Sequence, residues 1–268
     1  MASDKDIEQD IEKVSGTRPE GVRDEREAAE RVQKMFARIA PRYDFLNHLL
    51  SFSLDRVWRR RAGQRFLPIL RRPDAQVLDL CCGTGDLAFS LDSLRAKALC
   101  YAAGNRLPLI GSDFVLPMLE RARVKAARGK RRVVFAAADA MNLPYPSGTF
   151  DLVTSAFGFR NLANYDHGLR EIARVLKPGG EVGILEFSEP GSGSLGGVFR
   201  FYFRQILPRI GGAISGSGEA YSYLPASVAK FPSPLELAQL MVTCGFDDTG
   251  FESWNFGSVV LHRGKRTS

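Results

Sequence analysis

The spacing of apolar positions changes repeatedly along the chain, and each change predicts an element. "AERVQKMF" (29–36) places Val32, Met35 and Phe36 on one side of a helix. "PRYDFLNHLLSFSLDRVWRRRAGQRFL" follows and reads as two helices broken near Ser51–Leu54, richer in aromatic and leucine residues than an ordinary surface pair. "AQVLDLC" (75–81) is then a continuous apolar run, as expected of a strand buried on both faces. A rhythm begins there: helix "GDLAFSLDSLRA", strand "LPLIGSD", helix "LPMLERARVKAARG" ended by Gly129, strand "RRVVFAAAD", strand "FDLVTSAFG", helix "NYDHGLREIARVL", a turn at "KPGG" and strand "EVGILEFS". Strands alternating with helices require crossover connections and so predict a parallel sheet. Residues 190–230, rich in glycine and aromatics, break the rhythm and read as an inserted cap. "SPLELAQLMVTCGF" predicts one more helix, and "DTGFESW" with "FGSVVLHRGK" a closing antiparallel pair.

The length of 268 residues suits one α/β domain with decoration. Residues 1–28 are polar and predict a disordered or loosely ordered acidic tail, leaving 29–268 as the domain. No run approaches the ~18 apolar residues of a membrane span. "MASDKDIEQDIEKVSG" has no apolar core, so it is not a secretory signal, and a cytoplasmic location is expected.

Charge changes the picture. The first 30 residues carry ten acids and five bases, a net −5, so the remainder holds +12 of a chain total of +7. Basic clusters stand at "RVWRRR" (56–61), "RGKRR" (128–132) and "HRGKR" (262–266). They point to an anionic partner (nucleic acid, a phospholipid surface or a phosphorylated ligand) or to a solvated face. The four cysteines, at 81, 82, 100 and 244, form no C-x-x-C pair and no zinc-like cluster with histidine, so no metal is expected. Cys81 and Cys82 are neighbours, where a disulfide would strain the peptide between them; they read as small packing residues.

They sit in the segment with the strongest chemical signal. Strand, "CCGTGD", helix is the geometry that binds a nucleotide: Gly83 and Gly85 let the backbone turn sharply and approach a ligand, and the following helix presents free N–H groups. Three aspartates sharpen it. Asp79 ends the first strand. Asp113 ends the second, where a carboxylate accepts both ribose hydroxyl protons. Asp139 follows the third, in reach of an adenine amino group. Each is also an ordinary cap or turn residue. The glycine pair alone fits a nicotinamide-dependent oxidoreductase too, although the third glycine of G-x-G-x-x-G is Ala88 here.

The pattern resembles the class I S-adenosylmethionine-dependent methyltransferases and, more narrowly, the C-methyltransferases of ubiquinone and menaquinone biosynthesis. "YDFLNHLLSFSLDRVW" (43–58) and "RVLKPGGEVGILEFSEP" (174–190) carry the narrower likeness, supported by "FGFRN" (157–161) and "GSVVLHRG" (257–264). The resemblance implies a Rossmann-like α/β fold: a seven-stranded, mostly parallel sheet with a final antiparallel strand, N-terminal helices and an inserted cap. It implies methyl transfer from S-adenosylmethionine to a ring carbon of a prenylated demethylquinol, demethylmenaquinol first and a ubiquinone-pathway benzoquinol as the alternative. Gly83, Thr84 and Gly85 would flank the methionine part of the donor, Asp113 the ribose, and Asp139 with Ala140 the adenine. The chain departs from the family at Asp55, usually histidine, at Cys81, the first glycine of the general methyltransferase turn, and at Ala156, a serine in some members.

For the chemistry, Arg160 stands just past the fourth strand, where its fixed charge would stabilise a quinol phenolate. Asn161 would orient a quinol oxygen, and His48 would take up the proton. Tyr43, Asn47, Tyr221 and Tyr223 are the candidate substrate contacts. The aromatics Phe45, Phe52, Trp58, Phe199, Phe201, Tyr202 and Phe203 either line a greasy entrance for the isoprenoid tail or pack the domain. Arginines near Trp58 and Phe203 suit peripheral contact with an anionic inner leaflet. An RNA methyltransferase stays open on the basic body alone, but there is no N-P-P-Y motif and no separate RNA-binding segment, so no nucleic-acid partner is expected.

Overall fold

The computed structural model of the protein describes residues 16–17, 24–100, 105–189 and 218–268, with backbone alone at Leu46, Leu50 and 218–222. Most of the acidic tail and residues 190–217 of the expected cap, including Phe199, Phe201, Tyr202 and Phe203, lie outside the described residues.

Seven strands form one sheet in the order β3-β2-β1-β4-β5-β7-β6. They are β1 (Val77–Leu80), β2 (Leu109–Asp113), β3 (Val133–Ala137), β4 (Phe150–Ala156), β5 (Leu176–Phe187), β6 (Phe246–Trp254) and β7 (Val259–Arg266). β1 to β5 pair in parallel, and β7 runs antiparallel between β5 and β6. The apolar run at β1 is explained by burial of all four of its residues. Leu78 and Leu80 face one core with Phe159, Tyr165 and Leu169. Val77 faces the other with Leu87, Leu91 and Leu109. Truncating a leucine in either core costs about 2–5 kcal/mol.

Helices α1 (Glu25–Ile39), α2 (Tyr43–Leu50), α3 (Leu54–Gln64) and the short α4 (Leu67–Leu70) precede the sheet. α5 (Asp86–Leu99), α6 (Leu116–Arg128) and α7 (Tyr165–Val175) are the crossovers, and α8 (Gly218–Lys230) and α9 (Pro234–Thr243) follow. Chain progress reverses between β2-β1 and β1-β4, which opens a crevice beyond the strand ends at β1.

Two boundaries differ from the sequence reading. α1 begins inside the segment assigned to the tail, because Asp24 caps it by accepting from the Glu27 N–H and Ala28 is buried. "KPGG" does not separate α7 from β5. β5 already starts at Leu176, and residues 177–180 bulge out as the register steps from Phe150↔Leu176 to Leu152↔Glu181, with Gly179 at φ +74°.

Candidate functional site

The turn after β1 departs from ordinary backbone at three places: Cys81 (φ +53°), Gly83 (φ +53°) and Gly85 (φ +89°). The positive φ at Cys81 is a conformation that glycine adopts without strain and that a small side chain tolerates best. Cys81 is accommodated by Gly158, where a Cβ would fall 2.4 Å from the Cys81 Cβ. Cys82 is buried in the core beside β1. Burial, then the neighbouring Asp113 and Asp79 charges, push both thiols well above their usual pKa, so they are packing residues and poor nucleophiles.

The two glycines differ. A Cβ on Gly85 would meet Phe89 at 2.8 Å, so Gly85 permits packing. The space above Gly83 is open as far as Tyr43, 3.9 Å from the ideal Cβ, so Gly83 permits approach. Its N–H donates to Asp113 Oδ2 (2.8 Å), and the Val115 N–H donates to Oδ1 (2.9 Å), which fixes the carboxyl across the crevice. Burial raises the Asp113 pKa.

A cleft of about 720 Å³, its open mouth included, lies over this turn. Tyr43, Gly83, Asp113, Asp139, Ala140 and Asn161 all line it, and Val32 and Phe36 of α1 wall its far side. A recess of about 310 Å³ shares Tyr43, Cys81 and Gly83 with it and adds Arg59, Asp79 and Thr84. Asp79 accepts from the Ala88 N–H (2.9 Å) and the Thr154 hydroxyl (3.2 Å). Burial outweighs these bonds and lifts its pKa to about 7. Asp139 is exposed and accepts from the Met141 N–H (2.9 Å).

Thr84 lines the recess, and its hydroxyl donates to Asp44 and accepts from Lys125 Nζ (3.1 Å). Lys125 also holds Asp44 (2.8 Å) and Asp86 (2.6 Å), so one ammonium of α6 ties α2 to the start of α5. Nothing in the chain's periodicity announces this clasp.

Beyond β4, a 3₁₀ turn (Phe159–Asn161) carries the two "FGFRN" candidates. Arg160 is buried. Its Nη1 donates to Glu186 Oε2 (2.9 Å) and to the Phe157 carbonyl (2.6 Å), and its backbone N–H to Glu186 Oε1 (3.0 Å). Burial disfavours its charge, but the Glu186 carboxylate prevails and holds its pKa above the usual value. Among the described residues, three buried polar atoms in this neighbourhood lack a partner: Arg160 Nε, Asn161 Oδ1 and the Tyr223 hydroxyl. Burial lifts the Tyr223 pKa to about 12. Tyr43, its pKa raised by burial, bonds Asn47, which does not itself line the cleft. The Tyr221 side chain lies outside the described residues.

His48 does not line the cleft either. Its Nδ1 lies 2.9 Å from Asp55 Oδ2, and its Nε2 is 3.9 Å from Asp86. Asp55 also takes the Ser51 hydroxyl (2.8 Å) and Arg59. Against its burial, Arg59 chiefly, then His48 and Ser51, hold the Asp55 pKa low. His48, Asp55 and Asp86 bring donor atoms within 4.8 Å of one another, but Arg59 and Lys125 already neutralise the two carboxylates. Trp58 packs the core against Phe157 (centroids 6.1 Å) and donates to Asn255 (2.9 Å), whereas Phe45 (61% exposed) and Phe52 (75%) face outward.

The sequence model of the ubiE/COQ5 methyltransferase family matches residues 23–266. The chain belongs to this family. Within it, the chain is similar to the demethylmenaquinone methyltransferase of Deinococcus radiodurans (48% identity; 91% of this chain, 96% of that one). It is similar to the protein of the same name from Thermus thermophilus (47%; 87% and 100%). As a ubiE/COQ5 methyltransferase it also has the expected fold: a crystal structure of a SAM-dependent methyltransferase from Aquifex aeolicus superposes with a TM-score of 0.53 at 16% identity, over 76% of this chain and 89% of that one.

Proposed function

We propose that the protein transfers a methyl group from S-adenosylmethionine to a ring carbon of demethylmenaquinol, giving menaquinol. The observation that carries this reading is the group of unpartnered polar atoms around the 3₁₀ turn. Buried polar atoms normally have partners, and each one left unpaired costs about 1–3 kcal/mol. Arg160 Nε offers a donor, Asn161 Oδ1 an acceptor, and the Tyr223 hydroxyl either. A hydroquinol, with a hydroxyl on each side of its ring, satisfies such a set.

The cleft fits the donor. Open space over Gly83, the Asp113 carboxyl for ribose hydroxyls and Asp139 with Ala140 for the adenine lie along its length. Thr84 and Asp79 line the adjoining recess for the methionine end, and Gly85 shapes the turn. S-adenosylmethionine supplies an electrophilic methyl on a positively charged sulfur. The protein has then to make the ring carbon nucleophilic. Loss of one hydroquinol proton does so, since the phenolate pushes electron density onto the adjacent carbon. Because Glu186 already balances Arg160, the new negative charge would be met by a hydrogen bond from Arg160 Nε and by the positive charge that the donor would supply. Opposite charges cancel as the methyl leaves sulfur for carbon, and a dry, preorganised cleft favours that cancellation. The methylated carbon then loses its own proton, so that the ring regains aromaticity and the net release is S-adenosylhomocysteine and one proton. Asn161 orients the oxygen. His48, its Nδ1 held on Asp55 and its ring off the cleft wall, is the proposed proton acceptor by way of one bridging water rather than by direct contact with the quinol.

The prenyl tail belongs in a bilayer. No helix among the described residues is long and apolar enough to cross one. The α2–α3 hairpin instead exposes Phe45, Leu49, Phe52, Leu54 and Val57, with Arg56 and Arg60 exposed beside them and in no ion pair among the described residues. An apolar tip flanked by free cations suits an anionic leaflet. Tyr43, which opens α2, lines the cleft, so such docking would bring the bilayer beside it.

Lipid mass spectrometry of quinones in cells with and without the protein tests the function. Accumulation of demethylmenaquinone without it supports the reading. Accumulation of a benzoquinone precursor moves the acceptor to the alternative class, and an unchanged quinone pool refutes both.

A further inference from the structure

Thr17, far from the domain core in sequence, is 2% exposed. Its N–H donates to the Leu162 carbonyl (3.0 Å), and its hydroxyl lies 2.5 Å from that of Tyr165. Tyr165 donates to the Arg160 carbonyl (3.0 Å). A phenol has one proton, and here it is committed to that carbonyl, so Thr17 is the donor to Tyr165. The result is a one-way relay, Thr17 to Tyr165 to the backbone of Arg160.

The approach is close. Gly16 has φ +130°, and a Cβ there would fall 2.1 Å from the Ala163 carbonyl oxygen. A second tether ties the start of α1 to the same region, with Asn164 Nδ2 donating to Glu25 Oε1 (3.1 Å). Both anchors attach just after the turn that holds Arg160 and Asn161, at Leu162 to Asn164, and Asn161, Leu162 and Ala163 line the cleft. Tyr165 stays stacked on Phe159 (centroids 5.7 Å) and edge-on to Phe231 (5.4 Å) whatever Thr17 does, so the hydroxyl relay is not needed to bury the ring.

We propose that Thr17 is a positioning residue of the active site. Through Tyr165 it locks the Phe159–Ala163 backbone, so that Arg160 Nε and Asn161 Oδ1 stay aimed at the quinol. Thr17, ahead of α1 in the chain, is thereby a working part of the site. The proposal rests on the methyl-transfer reading for its kinetic consequence but not for its structural one.

Thr17→Val keeps shape and removes the donor; Thr17→Ser keeps the donor. Tyr165→Phe removes the middle of the relay at nearly constant volume. Hydrogen–deuterium exchange and kinetics are read together. In Thr17→Val and Tyr165→Phe, amides 159–163 exchange faster while the Cys81–Gly85 turn is unchanged. Turnover of reduced demethylmenaquinone falls about tenfold, as small misplacements of reacting groups do. S-adenosylhomocysteine affinity stays within about twofold of wild type, since the donor's contacts are not the ones displaced. Thr17→Ser restores both readouts, and the double variant is no worse than Tyr165→Phe alone. Unchanged exchange at 159–163 in Thr17→Val overturns the proposal whether or not the wild type turns over the quinol. So does a loss of homocysteine-product affinity equal to the loss of turnover. A wild type inactive on the quinol, with exchange altered as described, overturns the methyl-transfer reading and leaves the positioning role standing.

Discussion

Glu186 holds Arg160 by both its guanidinium and its backbone N–H, 2.9 and 3.0 Å away, and leaves Nε–H the one buried arginine donor in the turn without an acceptor among the described residues. The charge is thus fixed in place, and the proposed role of Arg160 rests on the Nε–H that Glu186 leaves free. Arg160→Ala is expected to cut turnover about a hundredfold or more while S-adenosylhomocysteine affinity changes little, because it removes an interaction made in the transition state. Calorimetric titration beside steady-state kinetics checks this, and equal losses in both would remove Arg160 from the role.

Glu186→Gln separates charge from shape. It leaves a buried guanidinium uncompensated and is expected to cost about 3–5 kcal/mol of stability by urea denaturation. A loss under about 1 kcal/mol would mean that the pair is solvated in solution.

Gly83 and Gly85 are expected to respond differently to alanine. Both have positive φ, so each substitution strains the backbone by about 1–2 kcal/mol. Gly85→Ala also drives a methyl into Phe89, so its melting temperature falls further. Gly83→Ala meets nothing closer than Tyr43 and keeps most of its stability, yet it fills the approach space and abolishes cofactor binding. Thermal shift with and without S-adenosylhomocysteine distinguishes the two.

Two buried groups tilt the pH dependence of stability in opposite directions. Asp79, with a folded pKa of about 7, keeps its proton where the unfolded chain has lost it. Its contribution is fully present below about pH 4 and is lost as pH rises to 7. His262 sits buried in β7 with its folded pKa near 4, lowered by burial, so its contribution is present above about pH 6.5 and lost as pH falls to 4. Relative to wild type, Asp79→Asn is therefore expected to gain stability from pH 4 to 7, and His262→Gln to lose it from pH 4 to 6.5. A difference from wild type that does not change with pH in either variant would show that neither group titrates as assigned.

The outward-facing hairpin makes membrane docking testable at two side chains. Phe45→Ser with Phe52→Ser is expected to reduce flotation on vesicles containing acidic phospholipid, with S-adenosylhomocysteine binding intact. Equal flotation of wild type and variant, or flotation indifferent to lipid charge, would place the contact elsewhere.

What the sequence made legible follows from how local each signal is. The alternation of strands and helices, the glycine turn and Asp113 and Asp139 at strand tips are all written within a few residues, and the structure brings most of them to one cleft. The links between distant segments are not written that way. Thr17 and Tyr165 are 148 residues apart, and Arg160 and Glu186 are 26 apart; no periodicity joins them. Lys125 looks like any cation of an amphipathic helix until folding places it on Asp44 and Asp86. Trp58 and Phe52 share one aromatic-rich stretch, yet the helix phase sends the tryptophan to the core while the hairpin tip, with Phe52 at φ +51° and Ser53 at φ +60°, faces outward. The same phase sets His48 on Asp55 and off the cleft wall.

The most direct test supplies the isolated protein with isotopically methyl-labelled S-adenosylmethionine and chemically reduced demethylmenaquinone, and reads the products by mass spectrometry and nuclear magnetic resonance. One labelled methyl on a quinone ring carbon is expected, with the oxidised quinone inert and Arg160→Ala nearly so. Label on an oxygen, on RNA or nowhere while the donor still binds would contradict the methyl-transfer reading.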